Sequence, residues 1–252
     1  MQEFRVGNAL STAFSVWTKN LVPFALIMAI LHAPLWLLQI FAGIDLTGGG
    51  EGAIAFILVF AVIGLVLTMI ATGAMAFGTY EQMRGRHASV GQCLQVGLKR
   101  LFPIIGVALL AGLCVGGAAM LFLIPGLIVY CMLWVAVPVV VVEKIGVTAA
   151  LGRSAKLTAG NRWRVFGVVV VLGLINWLVT TVFSTALASV FASVGLGAAL
   201  VLQNLPTIFT GSLTAVATAV GYYQLHIVTD NSVKSAAPLS RLTTRTRSSK
   251  QM

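Results

Sequence analysis

The sequence predicts an all-α fold: a polytopic membrane protein with six transmembrane helices, arranged as three repeated units of an interfacial amphipathic helix plus a transmembrane hairpin. Three observations predict it. With 59% hydrophobic and 9% charged residues and a mean hydropathy of +1.00, the 252-residue chain has too few charges to clothe a soluble globule. Uninterrupted apolar stretches of about 20 residues, the length at which a helix crosses ~30 Å of hydrocarbon, recur along it. Lys and Arg gather in the segments between alternate stretches, as they do in loops retained in the cytoplasm.

The expected spans lie at about residues 20–42, 53–80, 102–123, 127–142, 165–190 and 206–228. The segment before the first is polar and periodic, and no small-residue cleavage site follows the apolar run. The first run is therefore expected to stay as a spanning helix rather than leave as a signal peptide. Pro125-Gly126 in FLIPGLIVY divides an apolar run too long for one crossing, and predicts a tight hairpin between the third and fourth spans.

An even number of spans places both termini and alternate loops on one side. All sixteen Lys and Arg residues fall on that side; offset by Glu3, Glu81, Glu143 and Asp230 they leave about +12, whereas Asp45 and Glu51 give −2 opposite. The bias predicts a multi-pass membrane protein with both termini cytoplasmic. It also accounts for the net charge of +10 without nucleic acid as a partner, and points to anionic lipid headgroups instead.

The segments before spans one, three and five form an internal repeat: VGNALSTAFSVWTKNLVPF, VGQCLQVGLKRLFPIIG and VTAALGRSAKLTAGNRWRVF. On a helical wheel Val6, Leu10, Ala13, Phe14 and Trp17 oppose Arg5, Asn8, Thr12 and Lys19. Val90, Leu94, Leu98 and Leu101 oppose Gln92, Gln95 and Lys99, and Ser89-x-x-Gln92 fits a capping box. In the third copy Val147, Ala150, Leu151 and Leu157 oppose Arg153 and Lys156. One greasy and one basic face beside each span suit the headgroup boundary. The predicted organisation is a single membrane domain over 1–228, with units at about 1–80, 88–142 and 145–228. A Ser/Thr-rich basic segment, 229–252, is too poor in apolar residues to fold alone and is expected to be a disordered cytoplasmic tail.

Chemistry-bearing residues are sparse. Cys93, Cys114 and Cys131 are widely separated, show no metal or redox spacing, and read as small apolar filler. There is no GxSxG elbow, no HExxH and no phosphate loop, and no ionisable group at span depth except His32, beside Pro34; an enzyme is the least favoured class, and no cofactor or metal is expected. Lys99, Arg100, Arg153, Lys156, Arg162 and Arg164 are the expected contacts for anionic lipid. Glu143 is expected to pair with Arg153 or Arg162 and so fix the third amphipathic helix to the hairpin before it.

Small and hydroxylated residues recur at helical spacing. The fifth span carries Asn176, Thr180 and Ser184. The sixth carries Gln203, Thr207, Thr210, Thr214, Thr218 and Gly221; Gly64, Thr68 and Thr72 do the same in the second, and Gly112-x-x-x-Gly116 in the third. Such faces usually let helices pack closely, with hydroxyls bonding across the interface. The alternative is a polar path through spans five and six.

Across about residues 80–170 the order of Pro125-Gly126, Pro138, Glu143, Ala150-Leu151, Arg153-Ser154, Leu157-Thr158, Gly160 and Trp163 resembles the membrane domain named after glycerophosphoryl diester phosphodiesterase and the related YciC-like inner-membrane proteins. The family takes its name from members in which this domain is fused to a soluble phosphodiesterase. With 24 residues after the last expected span, the resemblance implies the membrane part without that activity. The expected function is a non-catalytic protein that organises membrane or cytoplasmic partners or handles lipid at the cytoplasmic leaflet. The alternative is a transporter or channel for a small solute or lipid.

Overall fold

Pro residues mark where helices begin. In a computed structural model, which describes residues 4–42, 51–193, 202, 205–206 and 208–230, Pro23, Pro103, Pro125 and Pro138 each occupy the third position of a helix. An amide there has no intrahelical acceptor, so its absence costs nothing, and the fixed φ of proline suits the turn. The helices are α1 Val6–Lys19, α2 Leu21–Ala42, α3 Glu51–Met83, α4 Val90–Lys99, α5 Leu101–Leu121, α6 Leu123–Leu133, α7 Ala136–Val142, α8 Val147–Leu157 and α9 Arg162–Ser193, followed by α10 at residues 208–230. There is no strand among the described residues.

Five stretches are long and apolar enough to cross a membrane: Leu21–Leu38, Leu58–Met83, Leu101–Leu121, Leu123–Val142 and Arg162–Leu187. The segment expected as the sixth span is helical over α10, but it is rich in Thr and is not among these five. The basic tail from residue 231 on, together with Thr207 and Gln203, lies outside the described residues.

The hairpin between the third and fourth apolar stretches turns at Phe122, whose backbone is extended (φ −158, ψ 146), and not at Pro125-Gly126. Pro125 instead starts α6. Gly126 closes the hairpin, because a Cβ there would lie 2.9 Å from Ala119 Cα on α5. The fourth stretch is itself divided at Trp134-Val135, where Pro138 has no amide to offer the preceding turn.

The core surrounds α7. Val135, Val139, Val140 and Val141 are all buried, packed among α3, α5 and α8. A run of β-branched residues is a poor helix former in isolation, and burial on every side offsets that deficit.

The three amphipathic segments do form helices, α1, α4 and α8, and the Ser89 hydroxyl and Gln92 side chain make the reciprocal cap at the start of α4. Their inward faces are the small-residue faces. Ala9 and Ala13, Cys93 and Gly97, and Ala150 and Ser154 are buried. Leu157 is 1% exposed and Val147 and Leu151 pack on the core, so α8 turns much of its apolar face to protein rather than to lipid. Gly97 seats α4 on α3 so closely that a Cβ would lie 2.6 Å from the Ile70 carbonyl oxygen. Gly112 and Gly116, expected to mediate close packing, have nothing within 4 Å; that face of α5 has no partner among the described residues. Two glycines supply left-handed turns: Gly85 (φ 73) after α3 and Gly160 (φ 80) before α9.

Candidate functional site

The Thr-bearing faces meet a cavity. Met28, His32 and Trp36 recur every four residues on α2, and Thr68 and Thr72 do so on α3; Thr210, Thr214 and Thr218, with Gly211 and Ala215, make one face of α10. Together with Ile208 and Asn176 of α9, they line a cavity of about 410 Å³ halfway along the apolar helices. Asn176 and Thr214 are exposed at its rim.

Apart from the approach of Thr68 Oγ1 to His32 Nε2 between α3 and α2, the hydroxyls do not bond across a helix interface. Each donates to the carbonyl one turn back on its own helix. Thr68 Oγ1 lies 2.8 Å from the Gly64 oxygen, Thr72 Oγ1 2.8 Å from that of Thr68, and Thr210 Oγ1 3.0 Å from that of Pro206. Thr214 and Thr218 reach Thr210 and Thr214 in the same way, both at 2.8 Å. This bonding satisfies each proton inside its own helix, so that toward any other group the oxygen can act only as an acceptor. On α10 the face serves both uses: Gly221 packs under Trp134, whereas Thr210, Thr214 and Thr218 line the cavity, as Thr68 and Thr72 of α3 do.

His32 Nδ1 is 3.0 Å from the Met28 carbonyl oxygen. A carbonyl only accepts, so that nitrogen carries the proton and, in the neutral ring, Nε2 is an acceptor. It stands 3.4 Å from Thr68 Oγ1.

Of the residues expected along a polar path, the structure brings Asn176, Thr210, Thr214 and Thr218 together. Thr180 and Ser184 are exposed on α9 and do not line the cavity: Thr180 Oγ1 contacts Asn176 Oδ1 at 3.4 Å, and Ser184 bonds the Thr181 carbonyl. Thr207 lies outside the described residues. The cavity belongs to α2, α3, α9 and α10 rather than to the fifth and sixth spans alone. Met28 and Trp36 were missed, because a Met or Trp in an apolar run carries no signal distinguishing cavity wall from core.

A second polar group lies at the far end of α10. Glu143 Oε1 accepts from Arg153 Nε at 3.2 Å and from the Tyr222 hydroxyl at 3.1 Å. The carboxylate thus ties the end of α7 to α8 and α10. Lys144, at φ 57, follows it in a left-handed turn. Ser154 of α8 donates to the Met132 carbonyl at 2.7 Å, where the break after α6 removes the helical donor, and Thr158, just past α8, donates to the Ser154 carbonyl at 3.0 Å.

The basic residues divide by role. Arg153 is committed to Glu143, and Arg164 Nη1 donates to the Phe4 carbonyl at 3.0 Å. Arg100 joins α4 to α5 and is half-buried, whereas Lys99, Lys156 and Arg162 are exposed. Arg162 borders an apolar groove of about 470 Å³ between α6 and α9, lined by Ile124, Leu127, Ile128, Cys131, Trp163 and Phe166. Trp163 is 85% exposed. Among the described residues no three His, Cys, Asp or Glu side chains are grouped to hold a metal.

No protein-family model, no curated protein and no solved structure matches this chain.

Proposed function

We propose that this chain is a non-catalytic, multi-pass protein of the bacterial inner membrane that takes a small polar solute, or the polar head of a lipid, into the cavity between α2, α3, α9 and α10, as a transporter or channel does. One observation carries the reading: polar side chains from four helices converge, halfway along apolar helices, around a common space, with their Thr protons spent inside their own helices. Polar groups are costly to keep at such depth, and their placement around a cavity favours a solute path over packing.

The architecture that goes with this reading is six spans in three units, with α10 as the sixth and both termini cytoplasmic. Supporting the repeat, Val6, Val90 and Val147 open equivalent helices. Three and seven positions on stand Ala9 and Ala13, Cys93 and Gly97, and Ala150 and Ser154, all buried. The landmarks shared with the glycerophosphoryl diester phosphodiesterase membrane domain have physical roles that suit membership: Pro138 starts α7, Glu143 and Arg153 pair, and Ser154 caps α6.

A second reading, lipid handling at the cytoplasmic leaflet with a preference for anionic lipid, is favoured by the groove at Arg162, where a cation borders apolar walls and an exposed Trp.

Native mass spectrometry of the protein released from its own membrane tests the cavity reading. A bound small molecule or lipid is expected on the natural chain and on Thr180→Trp, which adds bulk outside the cavity, and is expected to be lost from Thr214→Trp, which fills it. Identical ligands on all three proteins would remove the basis for the reading.

A further inference from the structure

The cavity's lining has a hydrogen-bonding bias that narrows the class of ligand, and this inference rests on the cavity being a binding site. We propose that it takes a small, uncharged, donor-rich solute, a polyol in chemical class. Five Thr residues line it, and each hydroxyl has already given its only proton to its own helix. They are left as acceptors.

The pair at the α2–α3 wall makes the bias sharper. His32 Nε2 and Thr68 Oγ1 lie 3.4 Å apart, with the His32 proton directed to Met28 and the Thr68 proton to Gly64. Two acceptors that face each other without a proton are stabilised by a third group that donates to both. Among the described residues, the side-chain N–H groups of the lining not already spent on the backbone belong to Asn176 and Trp36, so acceptors outnumber donors there. A ligand carrying several O–H groups complements this wall. One carrying only acceptors leaves both sides unpaired and is rejected.

Charge decides between the two kinds of donor. Among the described residues no Asp or Glu lines the cavity, so an ammonium would be desolvated without a counter-charge, at a cost of several kcal/mol. A neutral hydroxyl-bearing solute avoids that cost. At roughly 30 Å³ per water, 410 Å³ holds about a dozen waters, or a solute on the order of ten non-hydrogen atoms.

Saturation-transfer NMR on the full chain in lipid nanodiscs tests this, with glycerol, erythritol and xylitol as neutral donors. 2-Aminoethanol serves as the cationic probe, acetate as the anionic one and 1,2-dimethoxyethane as the neutral acceptor-only one. Transfer is expected to the polyols and not to dimethoxyethane or acetate. It should fall about fivefold or more in Thr68→Val/Thr214→Val, which keeps shape and removes acceptors, and vanish in Thr214→Trp. Thermal unfolding like that of the natural chain would show that the Val variant is folded; should the pair unfold, Thr214→Val alone carries the comparison.

Equal transfer to dimethoxyethane or acetate, stronger transfer to 2-aminoethanol, or polyol transfer indifferent to the Val changes would overturn the ligand class while leaving the cavity as a site. If no probe gives a signal that Thr214→Trp abolishes, the polyol assignment and the cavity reading fall together.

Discussion

At the scale of single residues, environment decides chemistry that identity leaves open. Cys93 sits on α4 at 3% exposure, and burial pushes its thiol up from 9.0 to about 11, against a smaller lowering by a backbone hydrogen bond. A raised thiol pKa means that the folded state prefers the neutral form. This group therefore adds no pH dependence below about 9, and removes stability as pH rises from 9 to 11, where only the unfolded chain releases the proton. At pH 8 its thiolate fraction is about a hundredfold lower than that of an unperturbed thiol. Alkylation followed by peptide mass spectrometry is expected to leave Cys93 largely unmodified until the protein is denatured; modification at the rate of a free thiol would refute this. The Glu143–Arg153 pairing was legible in the sequence, since opposite charges ten residues apart flank a short turn. Tyr222, which shares the same carboxylate from 79 positions away, was not, because a Tyr near a span end has many equivalent uses.

At the scale of helices, small residues matter only where a second backbone arrives. Gly97 on the amphipathic α4 and Gly112 on the apolar α5 are both helical glycines of the kind that lets backbones approach. A Cβ at Gly97 would meet the Ile70 carbonyl oxygen and the Ala74 amide on α3, whereas one at Gly112 meets nothing within 4 Å. Gly97→Ala is expected to push α4 away from α3 and lower stability by about 1–3 kcal/mol, while Gly112→Ala stays near the natural chain. Denaturant titrations in detergent compare the two, and equal losses would contradict the packing described. Proline behaves similarly. Pro125 reads as a turn in FLIPG, yet it starts a helix, because a third-position amide has no partner to lose; the extended backbone at Phe122 makes the turn.

At the scale of the molecule, the Glu143 carboxylate links α7, α8 and α10. Tyr222 is 1% exposed and Glu143 is partly buried, so their bond is shielded from competing water. Tyr222→Phe removes a hydrogen bond to a charged acceptor and is expected to cost about 1.5–3 kcal/mol. Tyr223→Phe, next in sequence with no carboxylate contact, should cost much less. Thermal unfolding of the two variants in one detergent makes the comparison, and similar melting temperatures would mean that the junction holds nothing together.

What the sequence by itself determined is helical class, five of the six expected spans as stretches long and apolar enough to cross a membrane, and the amphipathic character of α1, α4 and α8. These follow from composition and from a 3.6-residue period, both local properties. Tertiary structure alone decided which polar faces meet a void and which meet a neighbour. Thr214 and Thr180 have the same side chain and the same helical spacing, yet one lines the cavity and the other faces outward. The difference lies in where α2 and α3 stand relative to α10, set by contacts such as Trp134 over Gly221 and Gly97 on Ile70. Those contacts join residues far apart in the chain, and no local pattern encodes them.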